Sequence, residues 1–236
     1  MTIQTQYRTE AVEIMDDFSL EGEELREALD KIASINQLLG GNKLTLQGIE
    51  QLLRETSVTK RITILDVGCG NGDMLRMLSD YANKNNLKFE LIGVDANAFT
   101  IEHARLLSRE YTTISYLCED IFSKVFTEVK YDILLCTLTL HHFKNEDIES
   151  ILDIFYKQAT LGIVINDLHR STLAYRLFQL VCWVFRLNRM SREDGLTSIL
   201  RGFKKKELED FSKKIQAKKQ SIAWKWAFRY QWIIWK

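Results

Sequence analysis

The stretch Ile62–Asp73, Ile-Thr-Ile-Leu-Asp-Val-Gly-Cys-Gly-Asn-Gly-Asp, restricts the fold more than any other part of the chain. It begins with Ile62, Ile64, Leu65 and Val67, the β-branched and apolar pattern of a buried strand. Gly68, Gly70 and Gly72 then alternate with Cys69 and Asn71, and Met74, Leu75 and Leu78 follow at helical spacing. Strand, glycine turn and helix together are the form of a nucleotide site in an α/β protein. The glycines let the backbone turn sharply and approach a ligand, and the helix start offers free N–H groups. A dinucleotide fingerprint reads G-x-G-x-x-G. Here the spacing is Asp66-x-Gly68-x-Gly70-x-Gly72, with an acid before the first glycine. A carboxylate at that point repels a pyrophosphate and suits a ligand that carries positive charge.

From residue 62 onward the pattern alternates. Strands are expected at 62–67, 89–94, 113–118, 131–137 and 161–166, and helices at 73–85, 98–109 and 145–157. Such alternation predicts a parallel, doubly wound α/β sheet. A helix at 204–215 precedes two aromatic-rich segments, Ser221–Trp226 and Phe228–Trp235, which read as an antiparallel pair joined near Ala227. Before the first strand, residues 21–39 and 45–55 show amphipathic helical periodicity, and Glu10–Phe18 admits a short helix. Residues 1–58 are therefore expected to form a helical cap and 59–236 the main domain, in one structural unit.

Formal net charge is zero, so no overall field draws the chain to nucleic acid or membrane. The charge is nevertheless uneven, acidic over Glu10–Asp30 and basic over Arg201–Lys236, which reads as solvated helix faces. Cys69, Cys118, Cys136 and Cys182 form no C-x-x-C pair, which suggests reduced thiols, a cytoplasmic location and no zinc site. No apolar run is long enough for an ordinary transmembrane helix.

With Asp66 and its glycines, the opening stretch resembles motif I of the class I S-adenosylmethionine-dependent methyltransferases. The resemblance spans roughly residues 60–236. It implies a Rossmann-like seven-stranded sheet of order 3-2-1-4-5-7-6 with the last pair antiparallel. It also implies S-adenosyl-L-methionine as cofactor and S-adenosyl-L-homocysteine (SAH) as product. In that family Asp66 would hold the methionine amino group, and the backbone from Gly68 through Cys69 and Gly70 to Gly72 would underlie the methionine and ribose.

Ligands of such sheets sit at the carboxyl ends of the strands. Asp95, followed by Ala96, lies where an acid meets ribose hydroxyls, with Asn97 or Thr100 left to cap the next helix. Asp120, with Glu119 as the alternative, would accept from the adenine amino group, beside Ile121. Thr137 and Leu138 would lie beside the methionine end. Leu140-His141-His142-Phe143 resembles a segment of small-molecule methyltransferases, including those of ubiquinone and menaquinone biosynthesis. His142 is either structural or a general base, since its unperturbed pKa is about 6.5. His141 is structural or faces substrate. Two adjacent histidines without a nearby ladder of acids make a poor metal site, so no metal is expected.

After the fifth strand comes the polar cluster Asn166, Asp167, His169 and Arg170. Asp167 either orients His169, a second candidate base, or pairs with Arg170, and helix capping by Asp167 and Ser171 is the plainer reading. Thr172–Asn188, which includes Tyr175, is apolar almost all round. A helix of that composition is buried in the core or a dimer, covers an apolar substrate, or touches a membrane surface. A polar loop at Ser191–Gly195 would return groups to the site. The insertion, about 171–200, resembles that of a bacterial subgroup linked with polyketide-type metabolites.

The expected reaction is methyl transfer to a small hydrophobic acceptor, namely O-methylation of a phenol or a polyketide- or quinone-like ring. C-methylation, RNA or protein methylation, and a non-catalytic subunit that keeps the cofactor fold are the alternatives. Nucleic acid is not an expected partner, since there is no Asn/Asp-Pro-Pro-Tyr-type segment and no proline at all. Membrane or acyl-carrier contact, and a monomer or homodimer, stay open.

Overall fold

A computed structural model describes residues 3–54 and 61–236. Seven strands form one sheet: β1 (Ile62–Val67), β2 (Phe89–Asp95), β3 (Ile114–Cys118), β4 (Tyr131–Thr137), β5 (Ala159–Leu168), β6 (Lys219–Lys225) and β7 (Arg229–Trp235). Their order is β3-β2-β1-β4-β5-β7-β6. β1 to β5 pair in parallel, whereas β7 runs antiparallel to both β5 and β6. This is the order and polarity that the motif I resemblance implies. The β6–β7 turn carries Ala227 and Phe228 at φ +62° and +54°, left-handed positions taken here without glycine.

Side chains alternate between the two faces of the sheet, as strand geometry requires. Ile62, Ile64, Leu91, Ile133, Leu135 and Val164 join one apolar cluster, and Leu65, Val67, Leu134, Cys136, Ile163 and Ile165 join the other. Helices α2 (Gly41–Arg54), α3 (Asp73–Lys84) and α4 (Ala98–Leu107) contribute to the first. Helices α5 (Lys124–Glu128), α6 (Asn145–Gln158) and α9 (Lys205–Ser212) contribute to the second. α2 reaches the sheet through Gly48, where a Cβ would stand 2.5 Å from Val164 Cγ1.

Helix α1 (Glu23–Leu38) does not touch the sheet core; Leu25, Ala28 and Leu29 pack with Met190 of α8 (Arg189–Arg201). The segment before it forms only the short 3-10 turn Ile14–Asp16. The boundary expected between residues 58 and 59, and the last residue of the helix expected at 45–55, lie outside the described residues.

α5 and α8 also differ from expectation. α5 is short and capped by Ser123, and its five residues carry too little periodicity to announce it. Ser191–Gly195 is not a loop but part of α8, capped by Asn188. Gly195 sits inside that helix because a Cβ there would stand 2.4 Å from Phe178. It is a close-approach glycine against α7 (Thr172–Val184) rather than a turn glycine. α7 itself buries only Ala174 and Cys182. Leu173, Leu180, Trp183 and Val184 are exposed. Among the described residues no helix is long and apolar enough to cross a membrane.

Candidate active site

A cavity of about 830 Å³ opens at the carboxyl ends of β1, β2 and β4. Its two halves are built differently.

The first half is made largely of backbone. Gly68 and Gly70 line it at φ +65° and +51°, conformations that side chains rarely adopt. A Cβ on Gly70 would meet nothing closer than Leu29 Cδ2 at 3.9 Å, so the loop leaves open space above itself. Gly72 differs from the other two. It is left-handed but does not line the cavity, and a Cβ would strike Tyr116 Oη at 2.0 Å. Its small size serves packing behind the loop. Cys69 lines the same wall and is buried.

Asp66 is buried at the floor, and its Oδ1 has no hydrogen-bond partner. Burial pushes its carboxyl well above the usual range, and the charges of Asp73 and Asp95 add to the effect. A buried, unpartnered carboxylate is unfavourable until a cation or donor meets it. Asp95 Oδ2 accepts from the Gly70 N–H at 3.3 Å and Oδ1 from the Asn97 N–H at 3.0 Å. Burial raises Asp95 too, against those two N–H groups. Asn97, not Asp95, caps α4 by accepting from the Thr100 N–H. Ala96, Asp120 and Ile121 line the same side. Asp120 is exposed, with Oδ1 accepting from the Phe122 N–H. Thr137 and Leu138 close this half, and Leu138 holds φ +54° while its N–H donates to Asn166 O.

Two clamps tie this loop to the helices before β1. Asn71 donates to Asp30 of α1 at 2.9 Å, and Asn42 of α2 donates to Asp73 at 2.6 Å. Neither was among the expected site residues.

The second half is made of side chains from distant parts of the chain. Met15, Leu25, Leu29 and Ile32 face Leu177, Phe178, Val181 and Ile199 across it. Its polar floor is His141, His142 and Glu13. His141 is buried, and its Nδ1 donates to Asp167 Oδ1 at 2.7 Å. His142 is partly exposed and donates from Nδ1 to Asp16 Oδ1 at 2.6 Å. Each imidazole therefore turns its Nε2 away from its carboxylate. Burial works against both carboxylates, yet His142 and Arg201 hold Asp16 far below the usual range, and His141 keeps Asp167 low.

Glu13 is buried, accepts from Ser198 Oγ at 2.6 Å through Oε2, and leaves Oε1 without a partner. Burial pushes it up to about 7. Arg201, at the end of α8, donates to His141 O, to His142 O and, at 2.5 Å, to Asp16 Oδ2. Asp194 of α8 takes the N–H groups of Ile14 and Met15 at 2.7 and 2.9 Å and so seats the segment that carries Glu13. Arg229 of β7 lines the cavity, with buried Nε and Nη1 that lack partners.

Four expected substrate residues are placed elsewhere. β5 runs two residues further than expected, so Asn166 and Asp167 lie within the strand and point to opposite faces of the sheet. Asn166 donates to Gly41 O and Thr45 Oγ1, anchoring α2. Asp167 serves His141, and neither His169 nor Arg170. Arg170 is fully buried behind the cavity, donating to Glu207 and to the carbonyls of Thr5, Gln6 and Gly202. Tyr175 sits on α7 away from the cavity, whereas Ala174, Leu177, Phe178 and Val181 line it. His169 does line it, but its Nδ1 accepts from Trp224 Nε1 at 3.2 Å. That bond uses the lone pair a general base needs, and burial followed by the charges of Lys204 and Arg170 lowers its pKa further.

Glu13, Asp16, Asp194, Arg201 and Arg229 were not among the sequence candidates. For the first two the available signal was the apolar pair Ile14 and Met15 set between the acids, which does not suit a freely solvated face.

Residues 64–162 match a family model described as a methyltransferase domain. No curated protein matches the sequence. Solved structures with the same fold include the plantazolicin methyltransferase BpumL in complex with SAH, at TM-score 0.65 and 18% identity over 90% of this chain and 96% of that one. The plantazolicin methyltransferase BamL, in complex with a triazolic desmethylPZN analog and SAH, gives TM-score 0.67 and 16% identity over 88% and 89%. Magnesium protoporphyrin IX methyltransferase (ChlM) from Synechocystis PCC 6803, with bound SAH, gives 0.54 and 13% over 84% of each. At these identities the likeness is one of fold, and it extends well beyond residues 64–162.

Proposed function

We propose that the protein transfers a methyl group from S-adenosylmethionine to a small hydrophobic acceptor bearing a hydroxyl, a phenol or a polyketide- or quinone-like ring. The observation that carries the cofactor is the unpartnered Oδ1 of buried Asp66 beside a glycine loop with open space above it. S-adenosylmethionine brings an ammonium and a sulfonium group, and the carboxylates of Asp66, Asp73 and Asp95 provide the matching field. Asp95 suits the ribose hydroxyls, and Ile121 with the Asp120 loop suits the adenine. The solved neighbours whose names include SAH support the same reading.

When bound, the cofactor supplies a methyl carbon activated by its sulfonium. Alignment and exclusion of water then account for most of the remaining task. Thr137 and Leu138 would border the methyl end, and Leu25, Leu29 and Leu177, which line the cavity, would shield it. The acceptor half offers apolar walls for the body of the molecule. Its floor offers hydrogen-bond acceptors for a hydroxyl in Glu13 and the free Nε2 of His142, and Arg229 N–H groups suit further oxygens of the acceptor.

Calorimetric titration with S-adenosylmethionine tests the reading. Binding at micromolar concentration is expected, and no heat at millimolar cofactor sinks it. A methyl-acceptance screen over phenols and hydroxyquinones then tests the acceptor class, and transfer to ring carbon alone would replace O-methylation with C-methylation.

A further inference from the structure

The geometry points to a divalent transition-metal site formed by Glu13, His141 and His142 in the acceptor half of the cavity. One potential ligand atom from each of the three lies within 4.8 Å of the others. His141 Nε2 stands 3.7 Å from Glu13 Oε1, and His142 Nε2 stands 3.9 Å from Glu13 Oε2. His141 Nε2 and Glu13 Oε1 are buried and have no hydrogen-bond partner. The side chains of both residues are at most 3% exposed.

The arrangement around these atoms is what distinguishes it from a chance cluster. Each histidine donates its Nδ1 proton to a carboxylate, His141 to Asp167 and His142 to Asp16. In the neutral imidazole that bond fixes the tautomer and makes Nε2 the lone-pair donor, the arrangement that ligating histidines show around bound metals. Three potential ligand atoms thus converge on one point. A shared proton does not explain the spacing, because 3.7 and 3.9 Å are too long for hydrogen bonds. Ligands at ~2.0–2.1 Å from a tetrahedral ion lie roughly 3.3 Å apart, so closure draws the three ligand atoms together from separations of up to 4.8 Å. Two imidazoles and one carboxylate favour zinc, or ferrous, manganous or cobaltous ions, over magnesium, which prefers oxygen and water. Arg201 stands 3.7 Å from Glu13 Oε1 but donates to Asp16 and two backbone carbonyls, so it does not complete the site.

All three ligands line the cavity, so the remaining coordination position faces the acceptor. An acceptor hydroxyl held there becomes a stronger acid and a better-placed nucleophile. The inference also accounts for a puzzle in the sequence. Paired histidines lacked a local acid, and the segment before α1 brings Glu13 to them from more than a hundred residues away.

The test is titration of chelator-treated, cofactor-free protein with zinc chloride, followed by cobalt substitution. Wild type is expected to take up one zinc per chain and to give the visible absorption of a cobalt ion in a nitrogen–oxygen site of low coordination number. Glu13→Gln and His142→Ala should each weaken zinc at least tenfold and abolish the cobalt spectrum. Thermal unfolding and titration with S-adenosylmethionine, which these residues do not serve, verify that both variants are folded. Absence of zinc uptake by wild type, or equal uptake by wild type and both variants, overturns the site. So does protection of wild type by a simple primary ammonium salt with no metal uptake, which would mark the same atoms as an amine subsite. The metal titration omits the cofactor, so its failure and failure of the methyl-transfer reading are told apart.

Discussion

The two halves of the cavity do the same kind of work by opposite means. The half assigned to the cofactor is a feature of one short piece of chain: β1, its glycine loop and the strand ends beside it. Its shape is backbone shape, set by left-handed glycines and by two carboxylates within thirty residues of each other. The acceptor half has no such local signature. Glu13 and Asp16 come from a 3-10 turn, the histidines from the end of β4, and Asp194 and Arg201 from a helix inserted after β5. A site made of backbone is visible in its own spacing along the chain, whereas a site made of side chains exists only after the tertiary fold brings them together.

Substitution at Asp66 sets the two halves apart most widely. Asp66→Asn keeps the shape and removes the charge. Loss of a buried charge partner of about 3–5 kcal/mol predicts S-adenosylmethionine affinity reduced by roughly a hundredfold or more. The cofactor-free protein should respond the other way. Burial raises the Asp66 pKa in the folded state, so its stabilising contribution is present below the ordinary carboxylate range and is lost as pH rises through the folded value. Thermal unfolding without cofactor should therefore show Asp66→Asn above wild type at neutral pH, with the difference shrinking as pH falls. A variant that binds as tightly as wild type breaks the assignment of this half.

Arg201→Met addresses the other half. It strips Asp16 and two carbonyls of a buried cation, and a cost of about 3–5 kcal/mol is expected in denaturant unfolding. Provided the variant remains folded, the KM for the acceptor should rise while the affinity for cofactor stays within about twofold. Equal loss of both would mean that the halves are one coupled site.

Within the glycine loop, Gly70→Ala and Gly72→Ala should separate ligand contact from packing. Both adopt left-handed φ, at about 1–2 kcal/mol for a side chain. Only Gly72 adds a clash with Tyr116, so Gly72→Ala should unfold at lower denaturant, and Gly70→Ala should lose more cofactor affinity. The smallest expected effect is at His169. With its lone pair engaged by Trp224, His169→Gln should change turnover less than threefold under saturating acceptor, and a drop of a hundredfold or more would restore it as a base.

This contrast also accounts for what could be read from residues in order. The sheet, its antiparallel closing pair and the loop at Asp66–Gly72 follow from periodicity and glycine spacing over windows of a dozen residues. Asn166 and Asp167 were misplaced because a strand that ends two residues later turns adjacent side chains to opposite faces, and no pattern marked its end. Gly195 read as a turn because close approach to Phe178 is invisible until α7 and α8 are packed. Glu13 and Asp16 read as solvated because their partners lie 126 to 185 positions away.

That separation along the chain has a consequence in time. The cofactor loop and its strand partners are all present once β4 has been made. The acceptor wall is not, because Asp194 holds the backbone of Ile14 and Met15 across 180 residues and Arg201 holds Asp16 across 185. Closing spans of that length is slow compared with pairing neighbouring strands. During synthesis the amino-terminal segment must therefore wait, unseated, until α8 has emerged, so that the chamber in which methyl transfer is proposed to occur is among the last parts of the molecule to close.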